Sequence, residues 1–187
     1  AQSTFQQAGN IGTSAATLSA GGRNPDVSAV TEEWNENFVV GAWASGGDLN
    51  TARKYAVGAG TQTAGLAYSG NAGPGQTGDT EAYNGSTWTE LNNLNTARFQ
   101  AAGATSAPQT AALVFGGQDP KKAETETWNG TNWTEVNDLN TAREALSGAG
   151  ASNTAALAFG GSTPPISALT ELWNGTCLLY TSPSPRD

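Results

Sequence analysis

Apolar positions along this chain come in short runs, most of them closed by glycine or by asparagine followed by glycine. Four kinds of run recur in a constant order. A small-residue run (FQAAGA, EALSGAGA) leads into an Ala/Leu/aromatic run: TAGLAYSG, TAALVFGG and TAALAFGG, with AATLSAGG near the start. A Glu-x-aromatic-Asn unit follows, ending at Asn35, Asn84, Asn129 and Asn174, and then a Trp-Thr-Glu run. Short apolar runs bounded by turn formers read as strands. Gly85, Gly130 and Gly175 follow three of the four asparagines, and Asn-Gly between strands predicts a hairpin closed by a tight type I′ turn. The first repeat departs: WNENFVVGAW has four extra residues and no glycine after its asparagine, so a longer loop is expected there.

The runs are strictly spaced. LNTAR occupies 49–53, 94–98 and 139–143, an even interval of 45 residues. Trp43, Trp88 and Trp133 each stand ten residues before Arg53, Arg98 and Arg143. A fixed period of this size is the signature of a repeat architecture, and four short strands per period is the size of one β-propeller blade. FQQAG at 5–9 aligns with FQAAG at 99–103, so the chain starts at a blade boundary. The expected fold is therefore all-β: a propeller of four-stranded antiparallel blades, about four of them, at roughly 1–48, 49–93, 94–138 and 139–176. The main rival is a β-solenoid, whose repeats are usually shorter and lack two hairpins per unit.

At this point the residues resemble a known family. Gly-Gly closing the second strand, then an aromatic, a Trp and an Arg, is similar to the kelch repeat, over 5–176. Departures exist: Trp stands at 34, 128 and 173 where kelch repeats carry Tyr, with Tyr83 alone fitting, and Ser69 breaks one glycine pair. The variant WNGTxWTE…LNTAR also resembles tandem-repeat proteins of marine phages and uncultured viral genomes. That likeness implies a viral or metagenomic origin and points to a virion or extracellular setting.

The repeat breaks near the end. The Trp expected at 178 is Leu178, and the next LNTAR would begin at 184, which is Ser184. The tail CLLYTSPSPRD, 177–187, shares nothing with the repeat, and Pro183 and Pro185 oppose a central strand there. It is either a divergent cap or a foreign end resembling adapter-derived sequence on translated metagenomic contigs. The last blade then either lacks its outer strand or borrows one from the tail. Three arrangements follow: a small closed ring, an open array, or a homodimer completing a larger ring.

Composition narrows the function. Net charge is −8 with 8 Lys and Arg, which disfavours nucleic acid, since such binding rests on clustered basic charge. No apolar run approaches the roughly 18 residues of a membrane-spanning helix, and no signal-peptide pattern opens the chain. The sequence has no Met, which marks a processed form or an internal piece. There is no His, and Cys177 is the single cysteine. The commonest general base and metal ligand is thus missing, and no intrachain disulfide can form. No nucleophile elbow, P-loop or dinucleotide fingerprint occurs. Neither an enzyme nor a cofactor is expected, although paired carboxylates, as in glycoside hydrolysis, keep a hydrolase or lyase as a distant alternative.

Two sets of residues stand out. Trp43, Trp88 and Trp133, Arg53, Arg98 and Arg143, and Glu32, Glu81, Glu126 and Glu171 recur in register. They read as structural: the arginines pair with the glutamates or bond backbone carbonyls between blades, and each Trp fills a core otherwise made of Ala and Gly. What differs between repeats is the linker between second and third strands: GGRNPDVSAV, SGNAGPGQTGD, GGQDPKKAE and GGSTPPISA. Variable loops on a constant scaffold are where binding usually resides. Arg23, Asp26, Asp79, Asp119, Lys121 and Lys122 are the candidate contacts there. The three aspartates lack the dense oxygen-ligand spacing of a calcium loop, so no metal is expected. The sequons at Asn84, Asn129 and Asn174 follow from hairpin chemistry, and the one at Asn132 overlaps the third. The expected role is a non-catalytic binding or scaffold module, of a phage or bacterial surface, contacting a glycan or protein. The alternative is an assembly unit whose chains pair.

Overall fold

The computed structural model describes residues 9–12, 16–21, 29–35, 42–118 and 120–180. Among them every element is a β-strand, and no helix long and apolar enough to cross a membrane is formed. The strands make four antiparallel meanders. The first sheet holds β1 (Gly9–Gly12), β2 (Ala16–Ala20), β3 (Thr31–Asn35) and β4 (Ala42–Ser45). The second holds β5 (Val57–Thr61), β6 (Ala64–Tyr68), β7 (Thr80–Tyr83) and β8 (Trp88–Leu91). The third holds β9 (Ala102–Gly103), β10 (Leu113–Phe115), β11 (Thr125–Trp128) and β12 (Trp133–Val136). The fourth holds β13 (Ser147–Ser152), β14 (Ala155–Phe159), β15 (Thr170–Trp173) and β16 (Leu178–Tyr180).

Within each sheet strand order follows chain order, and packing between sheets does too. β1 lies against β5, β5 against β9, and β9 against β13 and β14. Small residues on the first strands permit this approach. A Cβ on Gly103 would stand 2.4 Å from the Leu113 carbonyl oxygen and 2.5 Å from the Tyr68 hydroxyl. One on Gly148 would stand 2.4 Å from the Gly103 carbonyl oxygen and 2.7 Å from the Phe115 ring. Tyr68 and Phe115 are the matching knobs. Each is fully buried on the second strand of its sheet and reaches into the glycine of the sheet that follows. Tyr68 also donates to the Leu113 carbonyl at 3.1 Å and packs on Trp133 with ring centroids 4.9 Å apart. Burial pushes the Tyr68 phenol well above its ordinary pKa, so it stays a donor.

The hairpins differ from the expected two-residue turn. Tyr83 pairs with Trp88, and Trp128 with Trp133, so four residues lie between the paired positions. Gly85, Gly130 and Gly175 have φ near +90°, whereas the asparagines before them are not left-handed. The reason is side-chain chemistry. Asn84 Oδ1 accepts from the amides of Ser86 and Thr87, and Asn129 and Asn174 do the same two and three residues on. The asparagine thus builds an Asx turn rather than a type I′ pair. The longer loop expected after Asn35 lies outside the described residues.

The fourth hairpin forms although its sequence departs. Cys177 occupies the place of Thr87, and Leu178–Tyr180 pairs with Trp173, Leu172 and Glu171. Of the two alternatives for the outer strand, the structure takes the borrowed one. Residues 181–187 lie outside the described part.

Candidate functional site

The residues repeated in register build one device three times. Arg53, Arg98 and Arg143 are wholly buried. Each pairs through Nη2 with the glutamate 28 residues on: Glu81, Glu126 at 2.5 Å and Glu171 at 2.8 Å. Nη1 of each donates to two backbone carbonyls of the same sheet: Ser69 and Asp79, Gly116 and Glu124, or Gly160 and Leu169. The other carboxylate oxygen accepts from the backbone and side-chain nitrogens of Asn50, Asn95 or Asn140, at 2.7–2.9 Å. A buried ion pair is sustained only when its remaining lone pairs and protons are satisfied; these groups, with Nε donating to the Thr51 and Thr96 carbonyls, do so for Arg53 and Arg98, whereas Nε of Arg143 is buried without a partner. Burial lowers the Arg98 pKa, and the charges of Glu126 and Glu124 oppose that shift.

LNTAR therefore faces two ways. The amides of buried Leu49, Leu94 and Leu139 donate to Ala29, Gly78 and Ala123 at 2.8–2.9 Å, in the sheet already completed. The Asn, Thr and Arg hold the glutamate of the sheet to come. The segment is a joint between successive sheets. Trp88 and Trp133 add a second tie, donating through Nε1 to Thr31 and Thr80 of the preceding sheet at 3.1 and 2.9 Å. Tyr83 adds a third by donating to Glu33. Burial first, and then the Glu33 hydrogen bond and charge, push its pKa up to about 12. Trp43 lies on β4, and its side chain is outside the described residues. Glu32 lies on β3 opposite Ser45, half-buried.

These joints position the variable loops. Lys54, Phe99 and Glu144, each next after its arginine, pair with Asn71, Gln118 and Ser162 in the linkers between second and third strands. The linkers and the joints thus share one end of the sheets. Of the six candidate contacts, Arg23, Asp26 and Asp119 lie outside the described residues. Asp79 stands at the base of its loop, its Oδ1 accepting from Asn93 at 3.0 Å. Lys121 pairs with Glu144 at 3.2 Å, tying the third sheet's loop to the following joint. Lys122 is buried. Among the described residues no hydrogen bond or ion pair joins Asp79 to either lysine, and no cluster of metal-ligating side chains is formed.

At the same end the structure shows a feature the sequence pattern did not single out. Tyr55, Gln100 and Ala145 occupy equivalent places two residues after each arginine, and all three are left-handed, with φ of 60°, 52° and 51°. Non-glycine residues rarely adopt this conformation. They line a recess of about 530 Å³ with Ala56, Ala101, Leu146 and Ser147. Ala145 donates its amide to the Gln100 carbonyl at 2.9 Å, and the Tyr55 ring stands 5.7 Å from Phe99. The available signal was the contrast between an unchanging LNTAR and the residue two places beyond it, the unlike trio Tyr, Gln and Ala. No family model matches the chain, and no curated protein matches it.

Proposed function

We propose that the chain is a non-catalytic binding module built as a kelch-type β-propeller, its sheets serving as blades. Its ligand, a glycan or a protein, is taken at the end that carries the variable linkers and the recess of Tyr55 and Gln100. One observation carries this reading: a buried Arg–Glu joint, made three times, holds unlike side chains at equivalent places around one concavity. A rigid frame with variable exposed positions suits recognition. An aromatic ring and an amide at the mouth suit sugar or peptide surfaces. The repeated glutamates favour a binding role over hydrolysis, because Glu81, Glu126 and Glu171 are each engaged by arginine and asparagine. The likeness to viral tandem-repeat proteins favours a virion or extracellular setting.

The test is a screen of immobilised glycans and cell-surface extracts, repeated with Tyr55→Ala and Gln100→Ala. Binding that weakens about tenfold in either variant, as expected for loss of roughly 1.4 kcal/mol of contact, supports the assignment. Binding unchanged in both removes the recess from the function. No binding to any surface overturns the module reading.

A further inference from the structure

The fourth sheet ends on a face that its siblings bury. Leu66 and Leu113 are 0% exposed, and their equivalent Leu157 is 37% exposed. Tyr68 and Phe115 are 0% exposed, and their equivalent Phe159 is 40% exposed. Leu172, the register partner of Leu157, adds 40% exposure to the same face. A shallow apolar groove of about 280 Å³ runs between Ala149, Ala156, Leu157 and Leu172. Contiguous exposed apolar surface of this kind marks an interaction site.

The repeat itself says what covers such a face. On the second sheet the equivalent side chains, Leu66 and Tyr68, are covered by the sheet that follows, with Tyr68 seated at Gly103 and Trp133. The opposite kind of face is presented by the first sheet. Thr31 and Glu33 bond to Trp88 and Tyr83 of the second sheet, so strand alternation turns Glu32 the other way. Glu32 is half-buried where Glu81, Glu126 and Glu171 are buried. Each described sheet thus has a leading and a trailing face; among the described residues the trailing face of the fourth sheet is open, and Glu32 on the leading face of the first is less buried than its equivalents.

We infer that a second copy of this chain docks head to tail, its first sheet covering Leu157, Phe159 and Leu172 of the fourth. The contact continues the internal sheet-to-sheet packing across two chains. It is heterologous, and used twice it closes a ring of two chains. The inference rests on the propeller reading above and adds the partner and the faces that meet.

Absolute mass by light scattering over a dilution series tests it, on the wild type and on Leu157→Lys/Phe159→Lys. The expected masses are twice 19.0 kDa for the wild type and 19.0 kDa for the variant, with unchanged far-UV circular dichroism. A wild type at single-chain mass at every concentration overturns the contact, and that readout does not depend on the variant folding. Orientation is read with Glu32→Lys, which is expected to be monomeric alone and to form a mixed dimer with the tail-blocked variant. A Glu32→Lys chain that dimerises by itself means the trailing faces pair with each other, and overturns the head-to-tail arrangement. A monomer that still binds ligand would sink this contact and leave the binding module standing. A dimer that binds nothing would do the reverse.

Discussion

At the scale of single residues, the recurring LNTAR is explained by one buried carboxylate per joint. Glu126 receives the Arg98 guanidinium, the backbone and side-chain nitrogens of Asn95 and the Thr96 amide, while Leu94 is buried. Removing one partner of such a pair leaves a charge buried and uncompensated, at about 3–5 kcal/mol. Arg98→Met is therefore expected to lower unfolding free energy by that order in urea denaturation. The double change Arg98→Met/Glu126→Leu is expected to cost distinctly less than the sum of its singles, because it removes both charges together. Additive losses would show that the two side chains are not coupled. The residue pattern announced that Arg and Glu belong together. It did not say which Glu each Arg takes, because that choice depends on where β7, β11 and β15 run beside the joint.

At the scale of elements, packing between sheets explains why the first strands are poor in side chain. Gly148 on β13 meets the backbone of Gly103 and the ring of Phe115, so an added methyl has nowhere to go. Gly148→Ala is expected to destabilise by about 1–3 kcal/mol, the usual range for overpacking, with the melting temperature as readout. An unchanged melting temperature would mean that β9 and β13 are not in close approach. The hairpins show the limit of dipeptide signals. Asn-Gly did mark the turns, but the Asn84 side chain captured two amides and lengthened the loop. Strand β16 shows the converse: Leu178–Tyr180 pairs without the expected Trp, since ladder hydrogen bonds use only backbone groups.

At the scale of the whole molecule, burial is uneven. The main apolar cluster centres on the second and third sheets, from Val57 through Trp133, whereas β13 and β14 alternate with exposed positions. Local opening follows such contact density. Amide exchange of the monomeric tail-blocked chain is expected to be slowest in β6 and β10 and faster in β14. Equal protection of β14 in that chain would mean its open face is covered from within.

By itself the sequence determined the strand content, the 45-residue period, the four-run order and the pairing of arginine with glutamate as residue types. Each is a local or periodic property: alternation, turn formers and charge at a constant spacing. Tertiary structure alone decided three other things. It brought Tyr55, Gln100 and Ala145 around one recess although 45 residues separate each from the next. It drew Lys121 into a pair with Glu144 and buried Lys122, leaving neither as the open loop cation that the composition suggested. It also left Leu157 and Phe159 bare while their twins are covered. Identical residues differ there only in whether another sheet lies against them, and a one-dimensional pattern cannot carry that neighbour.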